Sequence, residues 1–583
     1  MKVVPIEEVP ANAKVVPLGE LYSIKRDGRY KYRQYLMGNL LREGVDFGNT
    51  FSTTVSSSGL CTFYSLATTC RKEVYGWDAV CGYLQVKGQY DIYSYLPSHH
   101  GYSELEYEEL GKLRQSFLKL VEDEGEEGLK RFARNQKRDT RSNPTHVYKC
   151  EKSVYGGPGC GNAFEGLMHS VHIKTAGMTQ TQPEPSIFVK IKVDTEDKVV
   201  GYLVVMFFVD DVRFFGTDPE LAKYKEDVVS RMNVTFEDPP VSEFVSIETY
   251  QDMEYGICEL KMPTYFRKAS MVFREYAKKG YGVRTVPLTV YDENILLEES
   301  SPEQISAAIH LPYLQIVGVL SYPASQCKFE MRYAISLLGS KRKGWSIKDF
   351  EVAMKVLEYG LHTCEIGLMY STGLDPHGQN IVYAYGDANH RLPRPRGCRI
   401  VMMNGAALSM VCKMQTLTAP STCWAESVTL FDTSTDVLGI RNLMAELGQF
   451  QEEPTRIYCD NTSAIQIANN RGSLGKSSRA MDLKTLCIRN RIEDHLVQVD
   501  YIETKDQVAD QGTKALGENP FVRLRDTMNG YAIVKAAYPD KLMPDLVFEL
   551  EGNGKRGSQK MINSMVAMLS QFQFLTVDEV NQD

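Results

Sequence analysis

The chain has 583 residues, of which 43% are hydrophobic, 10% aromatic and 24% charged. That composition excludes a largely disordered, collagen-like or simple acidic-tail protein, and the length predicts several domains. Lys and Arg number 66 against 74 Asp and Glu, and the net charge of −8 by itself argues against a general polyanion binder. The 13 cysteines contain no CxxC pair, which predicts free thiols in an intracellular chain.

Targeting signals are missing from the sequence pattern. Residues 1–14 have no apolar core for a signal peptide, and the longest strongly apolar run, 202–209, is too short to span a bilayer. We therefore expect a cytoplasmic protein that does not associate with a membrane, with a nuclear stage as an alternative.

The first half of the chain begins with short strand-like runs separated by turns. Residues 104–137 are charged and helix-prone, which favours a solvated helix face or a flexible insertion over a phosphate-contacting surface. An apolar run at 204–209 leads into Asp210 and Asp211 and then into a second apolar run. This pattern predicts a hairpin with two acids at its tip.

The second half changes from helical to mixed patterning. Ser346 can cap a helix from Ile347 to about Leu361. From residue 379 the pattern predicts a β-rich start followed by alternating α and β elements, which indicates a separate domain. The predicted elements are strands at 380–388 and 399–411, a helix at 424–447 ended by Gly448, a strand at 456–459, a helix at 462–469, a strand at 497–502 and a helix near 507–515.

Two acidic groups are candidates for metal chemistry. The first acidic group combines Asp210 and Asp211 with Asp78. An isolated Asp-Asp pair is usually a surface turn, but adjacent carboxylates on a buried hairpin are unfavourable unless a cation neutralises them. Mg²⁺ prefers such oxygen ligands, and two of these ions can activate a hydroxyl and stabilise a leaving phosphate.

The second acidic group lies in the mixed α/β region. Two of its members follow predicted strands and two lie on predicted helices, so the strand ends and flanking helices can bring them to one metal pair. Taken one at a time, each acid is more typical of a solvated surface. The members are Asp387, Glu426, Asp460 and Asp510.

The order of several motifs resembles the copia-type (Pseudoviridae) retrotransposon polymerases. FVDD at 208–211 resembles the YVDD box of reverse transcriptases, and the resemblance extends over about residues 15–98 and 146–530. The other segments that carry it are the Lys31–Val55 stretch, DAVCGYL at 78–84, VYGGPGCGNAF at 154–164, PYLQIVGVLSY at 312–322, STCWAE at 421–426, YCDNTSAI at 458–465 and KDQVAD at 505–510.

The resemblance implies an α+β right-hand polymerase with fingers, palm and thumb, followed by an α/β ribonuclease H-like domain. We expect fingers and palm over 1–240, with an insertion at about 98–146, and thumb or connection over 241–365. The ribonuclease H-like domain is expected over 366–530, and an extension of unknown role over 531–583.

The resemblance also implies roles for individual residues. Each acidic group would bind two Mg²⁺, with Mn²⁺ as a substitute, and all seven acids would be catalytic. Lys31 and Arg33 would contact the incoming dNTP, and Tyr83 would stack under its sugar; without the family these are ordinary strand charges and a core tyrosine. Tyr155 and Gly156 would belong to the substrate-binding box.

The implied function is an RNA- and DNA-directed DNA polymerase, a nucleotidyltransferase, joined to a ribonuclease H endonuclease of a retrotransposon polyprotein. Its partners would be an RNA template, a DNA primer, RNA–DNA hybrid, dNTPs and other element-encoded proteins, including in virus-like particles. The altered box at Pro158–Asn162 motivates an alternative, a decayed polymerase that retains only hybrid ribonuclease activity. A domesticated, non-catalytic nucleic-acid binder is the third hypothesis.

The net charge is concentrated in one segment. Residues 226–260 contain nine acids and a single base, Arg231, so the remainder of the chain is formally neutral. The initial argument against polyanion binding is therefore weaker, and we expect nucleic acid along the neutral-to-basic faces.

Overall fold

The computed structural model describes residues 2–24, 30–95, 146–241, 243–280, 298–390, 394–416, 418–469 and 479–539. The expected insertion at 98–146 lies outside the described residues apart from its last position, and so does the extension beyond residue 539.

The first part of the chain contains a central sheet flanked by helices. Its helices and strands are β1 (Lys2–Pro5), β2 (Val15–Val16), β3 (Leu18–Ile24), β4 (Tyr30–Leu36), α1 (Ser57–Thr69), β5 (Tyr75–Ala79), β6 (Tyr93–Tyr95), β7 (His146–Lys149), α2 (Cys160–His169), β8 (Thr179–Gln180), β9 (Ile187–Val193), β10 (Val199–Phe208), β11 (Asp211–Gly216), α3 (Asp218–Val229) and β12 (Val234–Glu237).

Within these ranges, six strands form a sheet in the order β12-β5-β11-β10-β9-β8. Strands β10 and β11 form the predicted hairpin, paired from Leu203–Gly216 to Phe208–Asp211, which confirms that prediction. Phe207 and Phe214 are fully buried in it, and each contributes about 2–3 kcal/mol through burial. Smaller sheets, β1-β7-β6-β2 and the β3–β4 hairpin, lie at the start of the chain.

The middle part is mainly helical. Its elements are β13 (Glu243–Phe244), β14 (Ile247–Asp252), β15 (Ile257–Lys261), α4 (Pro263–Val272), α5 (Arg274–Lys278), α6 (Pro302–Ala308), α7 (Tyr313–Gln326), α8 (Arg332–Ser340), α9 (Ile347–His362) and β16 (Leu368–Ser371). Helix α9 has the predicted Ser346 cap, whose side chain and that of Asp349 form a reciprocal capping box. Strand β16 completes the sheet β13-β14-β15-β16.

The last part is a mixed sheet with helices. Its elements are β17 (Tyr383–Asn389), β18 (Arg396–Met403), β19 (Ala406–Met414), α10 (Thr422–Glu446), β20 (Thr455–Cys459), α11 (Thr462–Asn469), α12 (Arg479–Glu493), β21 (Val497–Tyr501), α13 (Glu518–Met528) and α14 (Tyr531–Ala537). Over the described residues the strand order is β19-β18-β17-β20-β21. Strands β17, β18 and β19 are antiparallel, and β17, β20 and β21 are parallel.

The mixed order of strands and helices in this last part was predicted, with three corrections. The single strand expected at 399–411 is wrong, since two antiparallel strands, β18 and β19, stand there. Asn404 and Gly405, both with positive φ, form the tight turn between them. The expected helix near 507–515 is wrong, since two 3₁₀ turns, Thr504–Asp506 and Val508–Gly512, stand there. The Gln507 side chain accepts a hydrogen bond from the Ala509 N–H at 3.3 Å, a local bond that competes with helix formation. Asp387 also lies within strand β17 and does not follow it.

The parts of the molecule share a core. One hydrophobic cluster of buried residues extends from Leu60 in α1 through Tyr313 in α7 to Val497 in β21. Polar contacts also join the parts: the Asn404 amide donates to the Ser65 hydroxyl at 2.8 Å. In the described part of the chain, no single helix is long and apolar enough to cross a membrane; α6 and α7, bent by 79°, meet the criterion only as a pair.

Candidate active sites

The first acidic group lies at one end of the six-stranded sheet. Asp211 is the first residue of β11 and is the direct cross-strand partner of Asp78 on β5. Asp210 occupies the tight turn before it, where Val209 has a φ of 58°. Directly opposed residues of antiparallel strands have neighbouring side chains. The pairing of β5 with the hairpin therefore brings Asp78 to two acids that lie more than 130 positions later in the sequence.

A buried arginine binds one of these acids. Arg213, which is only 2% exposed, donates from Nη1 to Asp211 Oδ1 at 2.6 Å. Burial raises the pKa of Asp211 to about 7, and the Arg213 charge opposes that rise. Sequence reasoning missed Arg213, although a residue two positions after Asp211 lies on the same face of a strand.

The predicted substrate-binding side chains lie beside Asp210. The guanidinium of Arg33 lies 4.8 Å from the ring centroid of Tyr155, and the rings of Tyr83 and Tyr155 are 5.0 Å apart. Burial raises the pKa of Tyr83 to about 12, and the charge of Asp210 adds to this rise. The structure therefore places three residues of distant motifs in one cluster, and their role toward a nucleotide stays a prediction.

The other two predicted substrate-binding residues are placed differently. Lys31 belongs to β4, but its side chain lies outside the described part of the structure. Gly156 has a φ of +78°, and a Cβ there would collide with the Leu36 carbonyl oxygen. Because the Leu36 N–H donates to the Tyr155 carbonyl at 2.7 Å, Gly156 fixes the box against β4.

A buried polar chain supports the strand that carries Asp78. Trp77 Nε1–H donates to the Tyr224 hydroxyl at 3.2 Å. His172 Nδ1–H donates to the Met168 carbonyl at 2.8 Å, so the neutral ring accepts the Tyr224 hydroxyl at Nε2, also at 2.8 Å. Burial lowers the pKa of His172 to about 4, and this ring is therefore a neutral core histidine at pH 7.

The second acidic group converges more tightly. Tyr385 on β17 pairs with Tyr458 on the parallel strand β20, so Asp387 and Asp460, each two residues further on, reach the same edge. Glu426 comes from the start of helix α10, which packs on β17. The ligand atoms of Asp387, Glu426 and Asp460 all lie within 4.8 Å of one another.

That convergence distinguishes the two groups. Among the described residues, Asp387, Glu426 and Asp460 are the only three His, Cys, Asp or Glu side chains that meet this distance criterion. Asp78, Asp210 and Asp211 lie at one sheet end but do not converge to the same degree.

Burial dominates the electrostatics of the second group, and repulsion between its carboxylates adds to the effect. Burial, aided by the charges of Asp387 and Asp460, raises the pKa of Glu426 to about 10. Burial also raises the pKa of Asp387, against a hydrogen bond from the Thr513 hydroxyl, and raises that of Asp510 to about 7. Clustered buried carboxylates of this kind bind protons or a cation.

A divalent cation fits the second group. Glu426 Oε2 and Asp510 Oδ1 are buried oxygens that have no hydrogen-bond partner among the described residues. Unpartnered carboxylate oxygens are the hard ligands that Mg²⁺ and Mn²⁺ take. At the first group the donor atoms are of the same type. Each group has one carboxylate paired with a protein cation, but Arg213 at the first group is buried, whereas Lys514 at the second is partly exposed.

The turn that carries Asp510 contributes residues that the sequence reasoning missed. Gly512 lies so close to strand β18 that a Cβ would collide with the Cys398 sulfur. Thr513 donates to Asp387, and Lys514 Nζ lies 2.7 Å from Asp510 Oδ2. The four-residue spacing from Asp510 to Lys514 was the available signal.

The homologues of this chain are Pol polyproteins of copia/Ty1-type LTR retrotransposons from plants and yeast, which confirms the predicted resemblance. It is 22% identical over 525 residues to the Pol polyprotein from transposon TNT 1-94 of Nicotiana tabacum, a match that covers 88% of this chain and 35% of that protein. It is 20% identical to the truncated transposon Ty1-A Gag-Pol polyprotein of Saccharomyces cerevisiae, over 85% of this chain and 38% of that one.

The chain therefore spans little more than a third of the length of these relatives. No protein-family model matches it. Among solved structures it is similar to the foamy viral protease-reverse transcriptase dRH in complex with double-stranded DNA, at 11% identity and a TM-score of 0.42, over 86% of this chain and 67% of that one.

Proposed function

We propose that the chain is the reverse transcriptase and ribonuclease H segment of a copia-type retrotransposon polyprotein. In this proposal the first acidic group supports DNA synthesis on RNA and DNA templates, and the second hydrolyses RNA in RNA–DNA hybrid. The observation that carries it is the meeting of Asp387, Glu426 and Asp460 within 4.8 Å, in a chain whose homologues are retrotransposon Pol polyproteins.

The proposal assigns the parts of the fold to a right-hand polymerase. Residues 1–240 serve as fingers and palm, 241–365 as thumb or connection, and 366–530 as the ribonuclease H-like domain. The sheet end with Asp78, Asp210 and Asp211 is the palm site, and the cluster of Arg33, Tyr83 and Tyr155 is the place for the incoming dNTP. The cross-strand pairing of Asp78 with Asp211 supports this assignment.

At the second group the carboxylates of the chain supply hard oxygen ligands. Asp387, Glu426 and Asp460 present the converging carboxylates. Asp510 is outside that converging set but lies on a 3₁₀ turn, where burial raises its pKa and the charges of Asp387 and Asp460 are near enough to raise it further. Bound Mg²⁺ or Mn²⁺ supplies the charge that activates an attacking oxygen and stabilises the leaving phosphate oxygen. Thr513 orients Asp387, and the half-exposed Lys514 lies where it can balance charge at a phosphate.

Primer extension and hybrid cleavage on the same preparations test the proposal. We expect Asp211→Asn to abolish template-dependent dNTP incorporation and to leave hybrid cleavage intact, because the two groups lie in separate sheets. Asp460→Asn is expected to do the reverse.

The outcomes separate the three hypotheses. Loss of each activity with its own variant supports the two-enzyme proposal. Well-folded wild type that incorporates no dNTP with Mg²⁺ or Mn²⁺ would sink the polymerase half. Hybrid binding without cleavage, indifferent to Asp460→Asn, identifies a non-catalytic binder.

One observation favours a second candidate, a hybrid ribonuclease with a decayed polymerase. The ion pair of Arg213 with Asp211, and the looser arrangement of the first group, set that site apart from the second. This candidate expects cleavage without any synthesis, at every metal concentration tested.

A further inference from the structure

Arg213 is buried in the sheet at the first acidic group. On β11 it lies two residues after Asp211 and therefore on the same face. Its cross-strand partner on β5 is Gly76, and the next strand, β12, places Glu237 opposite Gly76. The Arg213 side chain thus extends from β11 over β5 toward Glu237 on β12.

Four groups bind the guanidinium in this position. Nη1 donates to Asp211 Oδ1 at 2.6 Å and to the Val212 carbonyl at 2.8 Å. Nη2 donates to the Glu243 carbonyl at 2.5 Å and lies 3.3 Å from Glu237 Oε2. The two Nη atoms of this guanidinium, which is 2% exposed, are therefore bound by two carboxylates and two carbonyls, while its Nε has no hydrogen-bond partner among the described residues.

Gly76 creates the space for this side chain. A Cβ at position 76 would lie 2.5 Å from Arg213 Nη1 and 3.1 Å from Glu237 Oε2. Gly76 therefore leaves room for Arg213 to lie between Glu237 and Asp211 and to contact both carboxylates.

We propose that Arg213 is a positioning residue that holds the Asp211 carboxylate in an internal ion pair, so that divalent cations bind at the first acidic group only in competition with its guanidinium. A cation that takes Asp211 Oδ1 as a ligand meets a positive charge at hydrogen-bond distance from that oxygen. The proposal rests on the proposed function, because it assumes that this group is a metal site.

Mn²⁺ binding measured by electron paramagnetic resonance tests the inference without any activity assay. A background with Asp387→Asn and Asp460→Asn silences the second acidic group, so that the bound ion reports on the first. We expect Arg213→Gln to tighten Mn²⁺ binding by about tenfold or more, because a buried charge next to a ligand oxygen is poorly screened.

Two further variants separate charge from fold. Arg213→Gln removes the cation that is paired with Glu237. The double variant Arg213→Gln with Glu237→Gln removes both charges of that pair and keeps the test available if the single variant unfolds. Gly76→Ala keeps the charge and pushes the guanidinium away from its slot, and we expect tighter binding by a few-fold. Arg213→Lys keeps the positive charge and is expected to bind Mn²⁺ as weakly as the protein with Arg213.

Lys225→Gln is the matched control. Lys225 lies in the same region, on α3, with Nζ 4.5 Å from the Tyr75 ring centroid and 3.2 Å from Asp238, and does not contact Asp211. It is expected to leave Mn²⁺ affinity unchanged, and circular dichroism verifies the fold of every variant.

Three results would overturn the inference, and they are distinguishable. Equal or weaker Mn²⁺ binding in folded Arg213 variants contradicts it while leaving the polymerase proposal intact. An equal gain with Lys225→Gln reduces it to a general charge effect. Absence of Mn²⁺ at the first group in every folded variant removes both the inference and the polymerase half of the proposed function.

Discussion

The two acidic groups use the same residue types but are compensated in different ways. At the first, a fully buried arginine satisfies one carboxylate, and the three acids lie along a sheet end. At the second, three carboxylates lie within 4.8 Å of one another. Glu426 Oε2 and Asp510 Oδ1 have no hydrogen-bond partner in the described part of the chain, and the nearby Lys514 is 41% exposed. Carboxylates of the same type therefore lie in different electrostatic surroundings, beside a buried cation at the first group and a partly exposed one at the second.

The largest expected effect breaks the second group directly. Glu426→Gln should lower hybrid cleavage by about 10³-fold or more, because a buried ligand oxygen is replaced by an amide nitrogen or a neutral oxygen. Glu446→Gln, at the far end of the same helix, is the control and should cleave as wild type. Equal cleavage rates in the two variants would show that convergence does not mark the active group.

Low pH should destabilise the sheet that carries Asp78 before it destabilises the sheet that carries Asp387. The pKa of His172 is lowered in the folded chain, so its contribution to stability is complete above about pH 6.5 and is lost as pH falls toward 4. That group alone removes ~3 kcal/mol of the free energy of unfolding at the bottom of this window. The strand with Asp78 should therefore lose protection in hydrogen exchange before the strand with Asp387.

His172→Gln tests that assignment against His169→Gln. The first variant should flatten the acid dependence of stability, and the second, a partly exposed neighbour beside Glu165, should leave it in place. An unchanged pH profile in both would mean that another group causes the acid sensitivity.

A smaller effect is expected from moving one member of the second group. Gly512→Ala should displace the Asp510 turn from β18 and reduce hybrid cleavage by about 10²-fold, since a displacement of about 1 Å has effects of that size. Gly517→Ala is the control because its Cβ would meet only Pro520 at 3.9 Å. Wild-type rates for Gly512→Ala would show that Asp510 needs no close packing.

The smallest effect is expected at Lys514, the partly exposed counterpart of the buried Arg213. Lys514→Met should lower the Mg²⁺ concentration for half-maximal hybrid cleavage by only about two- to threefold, because solvent and salt screen a half-exposed ammonium. The measurement is a Mg²⁺ titration at two salt concentrations. A shift as large as that expected for Arg213→Gln would contradict the distinction drawn from burial.

Local patterns in the sequence were sufficient to predict much of the fold. The apolar runs on both sides of Asp210 and Asp211 predicted the β10–β11 hairpin, and Ser346 predicted the start of α9. Residues 462–469 form a helix at the predicted bounds. The turn at 504–512 was mistaken for a helix because Gln507 and Gly512 act through local bonds and close packing, which periodicity does not reveal.

The order of the acids along the chain was sufficient to assign them to two groups, because the seven acids are present in sequence although the box at Pro158–Asn162 is altered. The sequence also shows that the charge of −8 is concentrated in one segment. The structure pairs two acids of this segment: the exposed Glu237 with Arg213, and the buried Glu259 with Tyr531 and Lys261.

The positions of the acids relative to one another and to nearby cations depend on the tertiary structure. Asp78 and Asp211 become neighbours through strand pairing across 133 positions, and Asp387 and Asp460 through parallel strands, neither of which leaves a local signal. The choice of Arg213 as partner of one carboxylate depends on the space at Gly76 and on Glu237 one strand away. Burial and electrostatic contact are properties of the assembled sheet, and they set the availability of each oxygen to a metal ion.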